Sequence, residues 1–448
     1  MTSETPHVVV RTRRPESKPK QFHFTDEDVR RDVPVELLEY RMDACKAYRE
    51  LDLPDTRQEA WRRTDLRHLD VEGFQISNGR QQDPIPPELL KPLANELHGG
   101  QLLLSPAGME GFLLPELVDR GVVFEDLLAA ERNHGDLLTR LVGKTLNASD
   151  EKFSAMAAAF ANTGLLLYIP KGVHVTQPLH SILWMPGEGQ AFFSHVIIWL
   201  EEGSSATFVY EISSPQTDSG QVLHAGIVEV HLGTGAQLQF VELQSLGENV
   251  WNFTHERARV GRDAHLDWFF GAIGGHLTKN FTDLDLVENG AVGKMSGFYF
   301  TEHDQHLDYD SQQNHLAPYT TSDLLFKGAL IDNSRAVWQG MVYVAPGAVK
   351  ADGYQANRNL LLSRKARADS IPGLEILADD VRCSHGATVS KVDENQVFYL
   401  KTRGIPKVEA EQLIVEGFFD QIMQRIPFAG VRERFQQAIH EKMNRYRS

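Results

Sequence analysis

Residues 203–210, Gly203-Ser-Ser-Ala206-Thr-Phe208-Val-Tyr210, decide the fold. They are echoed by Gly233-Thr-Gly-Ala236-Gln-Leu238-Gln-Phe240 and by Gly261-Arg-Asp-Ala264-His-Leu266-Asp-Trp268. The alanines are 30 and then 28 residues apart, and a degraded fourth copy starts near Ala291, with Gly293 in place of the apolar residue. Each unit is a turn, a small residue and then alternating apolar positions, the pattern of a strand with one buried face. One unit cannot bury that face alone, so stacked coils of a β-solenoid are the natural solution. A β-sandwich also gives regularly spaced short strands and is the alternative. No helix-length segment interrupts residues 165–385, which argues against an α/β fold.

The flanks are helical. Val35, Leu38, Met42 and Cys45 follow spacings of three and four and predict one helix face, with Cys45 a core thiol. Residues 53–66 read as a loop anchored by Trp61, and 67–135 give no clear pattern. A helix is expected over 150–162, with Ser149 as N-cap and Gly164 as stop. After Val389 three helices are expected. The first is capped by Asp393 and stopped at Gly404, the second runs from Pro406 to about Ile426 before Pro427, and the third from about Gly430 to Tyr446. Leu413, Ile414, Phe418 and Ile422 predict the apolar face of the second. The chain thus divides into a disordered tail (1–24), a mostly helical region (25–163), a solenoid core (164–391) and a helical C-terminal region (392–448).

At 448 residues the chain exceeds one ordinary compact core. Its net charge of −16 argues against a phosphate-backbone partner. The locally basic segment 10–20 reads as part of the solvated tail. No apolar run reaches the roughly 20 residues that span a bilayer, and the N-terminus does not read as a signal peptide. Two cysteines exclude a disulfide framework. A cytoplasmic protein without nucleic-acid or membrane partners is expected. Gly143-Lys144-Thr145 resembles the end of a phosphate-binding loop, but that motif needs glycine at 138, where Leu stands.

Two constellations could carry chemistry. Cys383 and His385 are two apart, so on a strand over 374–385 they share a face with Ser384 opposite. A thiolate and an imidazole form part of a soft-metal site, which other ligands, from another subunit for instance, must complete. The bland reading makes Cys383 a small core residue and His385 a hydrogen-bonded one. A Cys-His hydrolase is disfavoured, because neighbours on one strand cannot easily place the imidazole on the thiol. The second constellation is 302–315, where His303, His306, Asp308, Asp310 and His315 could hold a hard metal. A stand-alone metal-dependent enzyme on a β fold would use these histidines, although residues alternating between strand faces oppose that.

The stretch CSHGATVSKVDENQVFYLKTRGI (383–405) resembles the C-terminal signature of the SufB/SufD family of iron–sulfur cluster assembly proteins. Four more stretches match in order: LPDTRQEAWRRTDL (53–66), NTGLLLYIPKGVHVTQPL (162–179), NHLAPYTTSDLLFKGAL (314–330) and NRNLLLSRKARADSIPGLEILADDV (357–381). SufB-type chains carry glutamate where this chain has Gly386 and a cysteine where it has Asn357, so the resemblance is to the SufD branch.

That resemblance implies a right-handed parallel β-helix core with helical N- and C-terminal regions. It implies a non-catalytic scaffold subunit that pairs with SufB and binds the SufC ATPase through residues 393–446. A nascent iron–sulfur cluster, transient and shared with SufB, would form at the interface using His385. Beside it, Cys383 is a secondary candidate that either ligates or fills the last coil, and Asp379 and Asp380 either support the site as outer-shell acceptors or help to close the solenoid. ATPase activity is expected from the partner, and reduced flavin is associated with the complex. Free edge strands of a β-helix also invite the isolated chain to pair with a like partner, and the sequence leaves homodimer and heterodimer both open.

Overall fold

A computed structural model of the chain describes residues 21–77, 84–90, 98–105, 107–185, 187–426 and 428–445. Most of the expected tail, its basic segment, Pro427 and Tyr446 lie outside them. The core is a parallel β-solenoid of two facing sheets. One runs from Thr163–Ile169 to Arg367–Ile376 and the other from Leu179–Trp184 to Arg382–Lys391, with successive strands alternating between them. Each sheet has ten strands, and eight from each make eight two-strand coils.

The coils stack in register, so side chains form rows along the axis. One interior row reads Phe208, Phe240, Trp268, Met295, Leu324, Gln355, His385. Its first five members are fully buried, the outcome expected of period-two apolar positions facing each other across a stack. The sequence repeat is real but slips by two residues at its first step: Phe208 lies beside Phe240, not Leu238. The turn explains why. Gly203 (φ +65°), Gly235 (φ +68°), Asp263 (φ +54°) and Gly290 (φ +76°) occupy the same left-handed corner, two residues before each strand begins. Gly233 therefore imitates Gly203 in sequence without being its equivalent. The later copies, Ala236, Ala264 and Ala291, do align.

The two ends of the solenoid differ. At the N-terminal end, Gly108–Leu113 pairs antiparallel with Gly100–Ser105, and Val123–Asp126 antiparallel with Thr163–Ile169, so no further parallel coil can be added in register. At the C-terminal end, Arg367–Ile376 and Arg382–Lys391 each have one unpaired edge. The single strand expected over 374–385 is thus two strands in different sheets, broken at a corner where Asp380 takes φ +56°.

Helices α1 (Val35–Glu50), α2 (Pro115–Asp119), α3 (Leu127–Asn133), α4 (Gly135–Leu141) and α5 (Lys152–Phe160) precede the core. Phe153 of α5 stacks on Phe253 of the sheet at 3.8 Å, and Trp61 is fully buried beside them. Phe22 and Phe24 pack near Phe153 and Phe193, so residues 21–24 belong to this layer rather than to a tail. On α1 the buried stripe is Leu37, Arg41, Ala44, Cys45 and Tyr48, while Val35 is exposed. Arg41 sits inside because it pairs with buried Glu131. Ser149 does not cap a helix: Asn147 caps a short turn over Ala148–Asp150, and α5 starts at Lys152 and ends before Asn162, which pairs with the Phe193 backbone.

Helices α6 (Glu394–Thr402), α7 (Lys407–Met423) and α8 (Ala429–Arg445) follow. Asp393 caps α6, accepting from the Asn395 amide at 2.9 Å, and Gly404 (φ +87°) closes it. α7 and α8 lie along the outer face of the second sheet, not across the solenoid end. On α7 the docked residues are Ala410, Val415, Phe419, Ile422 and Met423; Leu413 is exposed. Phe435 of α8 stands over Gly271, where an added Cβ would fall 2.2 Å from its ring.

Candidate functional site

The open end carries the Cys-Ser-His tripeptide. In the strand Arg382–Lys391, Cys383 pairs in register with Gly353 and His385 with Gln355. Both therefore continue interior rows of the solenoid, at the coil with nothing stacked on it. Gln355 is fully buried and its amide donates to the carbonyls of Gly340 (3.3 Å) and Gly373 (2.8 Å). One coil further, His385 is exposed, and among the described residues its imidazole makes no hydrogen bond or ion pair. An imidazole held on a rigid strand, open to solvent and unpaired, can present a nitrogen to a metal brought from outside.

Cys383 is placed differently. It is half-buried against Val342, Val344, Ala348 and Ala351. Burial pushes its thiol pKa up, the Gly353 amide bonded to the sulfur offsets part of this, and Asp352 adds to the rise. The neutral thiol is the favoured form in the isolated chain, which makes Cys383 the poorer ligand of the two. Asp380 holds Lys350 at 2.5 Å on the corner turn, so it closes the coil there. Asn357, at the SufB-type cysteine position, is fully buried and bonded to Tyr299, Asn359 and Ser370. Gly386 faces open space, with only the Tyr354 hydroxyl within 4 Å of an added Cβ, at 3.9 Å.

The His303–His315 constellation is dispersed. His303 sits on an exposed turn and meets Glu248 at 2.5 Å. His306 faces outward and pairs with Thr64 at 2.9 Å, and burial pulls its pKa down to about 4. His315 faces the interior, between Thr320 (2.8 Å) and Ser322 (2.9 Å), and burial likewise takes it to about 4. Asp308 is engaged by Thr64 and by Lys279 at 3.0 Å. Among the described residues no group of three or more His, Cys, Asp or Glu side chains could hold a metal ion. These histidines therefore do not come together, among the described residues, as the site that a stand-alone metal enzyme would use.

Sequence reading missed three features. The Gly143-Lys144-Thr145 turn does cradle an anion, but it is the chain's own Glu229: Gly143 and Thr145 amides donate to it at 2.8 and 2.9 Å, and His195 meets it at 2.8 Å. Glu242 and Glu256 share a hydrogen bond inside the solenoid, and burial pushes both carboxyls up. Buried ion pairs bolt α8 to the sheet: Arg434 to Glu211, and Lys442 to Glu302 at 2.6 Å. No local signal marks these pairs, because the partners are 140 or more residues apart.

Comparison with known proteins places this architecture. Residues 183–418 match the family model for the SUF system FeS cluster assembly SufBD core domain, and residues 19–180 match the SufBD protein N-terminal region. The chain is 32% identical to the iron–sulfur cluster assembly protein SufD of Bacillus subtilis, over 74% of its own length and 76% of the relative's. It is 28% identical to a SufBD family protein of Staphylococcus saprophyticus, over 89% and 87%. Identity to SufB of Bacillus subtilis is 30%, over 70% and 67%.

Proposed function

The chain belongs to the SufBD family of the SUF iron–sulfur cluster assembly system, and from that premise we propose that it is the SufD-type scaffold subunit of a complex with a SufB-type chain and a SufC-type ATPase. The observation that carries this reading is His385, exposed and unpaired on an interior row at the open end of the solenoid. A second solenoid stacking on that end would cover the free edges of the last two strands, together with Leu374, Ile376, Leu377 and Val389, which are exposed. It would also bring its own ligands opposite His385. The nascent iron–sulfur cluster is the cargo, held between the two chains: one imidazole from this chain and the rest from the partner. Cys383 is the secondary candidate. In the absence of the SufB-type chain, the same end would pair with a second copy.

The ATPase contact is assigned to residues 393–446, where Phe398 and Tyr399 of α6 and Val408 and Leu413 of α7 are exposed. Reduced flavin remains a property of the complex in this reading, and no residue here is assigned to it. Among the described residues no helix is long and apolar enough to cross a membrane, and a cytoplasmic location is part of the proposal.

The test is His385→Ala in the reconstituted complex. Folding and assembly are expected to survive while cluster formation is lost. An unchanged cluster yield would remove His385 from the ligand set.

A further inference from the structure

The N-terminal end of the solenoid is capped, yet it leaves a groove open. Two antiparallel strands form the cap, Gly108–Leu113 on one sheet and Val123–Asp126 on the other. Between them lies a cleft lined by Met109, Phe112, Val118, Phe124, Leu137 and Tyr168. Three of these are large apolar side chains open to solvent: Met109 is 42% exposed, Phe112 49% and Val118 55%. The strand Gly108–Leu113 bonds Gly100–Ser105 along one edge, and among the described residues nothing pairs with the other. Exposed apolar side chains beside a row of free backbone N–H and C=O groups invite an added strand.

The rim of this groove is acidic. Glu110, Glu116 and Asp119 are exposed along it and Glu125 is half-buried, against Arg120 and Arg140. Glu125 is met by Asn133 at 3.2 Å and His134 at 3.5 Å. Arg120 is turned to the His174 carbonyl at 3.1 Å. Among the described residues Glu110, Glu116 and Asp119 form no ion pair. The occupant that suits such a cleft is extended, partly apolar and basic.

One segment of the chain has that composition. Residues 8–14 read Val8-Val9-Val10-Arg11-Thr12-Arg13-Arg14. Residues 1–20 carry Arg11, Arg13, Arg14, Lys18 and Lys20 against only Glu4 and Glu16. Valine and threonine suit a strand. We propose that residues 8–14 dock in this groove as an added strand on the free edge of Gly108–Leu113, with valines against Met109 and Phe112 and arginines toward Glu110, Glu116 and Asp119. The basic segment is then a strap rather than a solvated tail. Exposed ion pairs are weak singly, so burial of the valines holds the strap and the charges orient it. The tether is long enough. The Tyr48 hydroxyl, near the C-terminal end of α1, donates to the Phe22 carbonyl at 3.3 Å. From Tyr48 back to Val35, α1 runs about 20 Å. There Pro34 meets the start of α4, where a Cβ added to Gly135 would fall 2.9 Å from its ring, and α4 supplies Leu137 to the groove. The stretch from Val10 to Gln21 spans up to about 36 Å when extended, and Pro15 and Pro19 favour extension. The groove lies at the opposite end from His385, so this docking stands apart from the function proposed above.

Photo-crosslinking and hydrogen exchange on the full chain test this. Replacing Phe112 with benzoylphenylalanine keeps an aromatic side chain in the groove. Irradiation is expected to join position 112 to a peptide within residues 5–16, in a species of single-chain mass. Val8→Asp, Val9→Asp and Val10→Asp together should abolish that cross-link and speed exchange of the 108–113 amides by about tenfold or more. These substitutions lie outside the packed core, so they leave the solenoid folded. Arg11→Glu, Arg13→Glu and Arg14→Glu together should lower the cross-link yield by roughly threefold or more at low salt. An adduct of twice the chain mass would make a second copy the occupant and overturn the docking. An adduct to any other segment, or none at all, would overturn it too. So would exchange at 108–113 that stays within about threefold of the unaltered chain in the triple-valine variant.

Discussion

Replacing Lys442 with methionine tests whether α8 is held to the solenoid by its ion pairs. The Lys442 side chain is 2% exposed and that of Glu302 6%, with 2.6 Å between them. Burial pulls the Lys442 pKa down, and Glu302 lifts it only in part. For Glu302, burial pushes the carboxyl up, but Lys442 and Arg445 outweigh that and hold it below its ordinary value. Removing one partner of a buried pair costs about 3–5 kcal/mol. In Lys442→Met the carboxylate keeps Arg445 at 3.0 Å, so the cost should fall to about 2–3 kcal/mol. Glu302→Met should cost more, because it removes the carboxylate in contact with a buried ammonium and leaves it the weaker pull of Glu248. The double variant should recover most of the loss, since an apolar pair of similar volume is often neutral. The assay is native-state exchange of α8 amides, where about 2–3 kcal/mol appears as roughly 30- to 150-fold faster opening. A change under threefold for Lys442→Met, or a double variant no better than Glu302→Met, would refute the reasoning.

Stability should also depend on pH through Glu242 and Glu256. Burial raises both carboxyl pKa values in the folded chain, so the folded state holds protons that the unfolded chain releases above about pH 4.3. Stability contributed by the protonated pair is present at low pH and is lost as pH rises through the folded values. The urea midpoint should therefore fall between pH 6 and 8.5, and Glu242→Gln should flatten that fall; equal slopes would contradict it. Gly271→Ala should displace Phe435 and speed α8 exchange by an amount matching about 1–3 kcal/mol, and unaltered exchange would mean the ring has room that the packing denies. Cys383→Ala should retain cluster formation in the complex, because its thiol is held neutral in an apolar niche; abolished formation would place it among the ligands.

The solenoid is legible in the sequence because period-two apolar positions and a small-residue corner recur with each coil. The two-residue slip at Ala206 is not legible, since Gly233 and Gly235 offer two equally good alignments and only the hydrogen-bonded register separates them. Helix existence was readable at α1, α6, α7 and α8, and the docked faces in part: Leu38, Met42 and Cys45 of α1 and Phe418 and Ile422 of α7 pack as expected, while Val35 and Leu413 are exposed. Local periodicity cannot say which stripe meets a distant partner: Arg41 is buried by Glu131, and α7 turns Phe419 rather than Leu413 to the sheet. The shared face of Cys383 and His385 follows from their spacing. That this face looks into the open end of the stack depends on pairing with Gly353 and Gln355, some 30 residues away. The same long-range pairing scatters His303, His306 and His315 between a turn and two faces.

The function proposed for the open end requires a second, different solenoid to stack there. Co-expression with SufB-type and SufC-type chains, followed by the mass of the purified assembly, measures this directly. The prediction is one assembly containing this chain, one SufB-type chain and two ATPase copies, one on each scaffold subunit. A chain that stays alone, or paired only with itself, in the presence of both would contradict it.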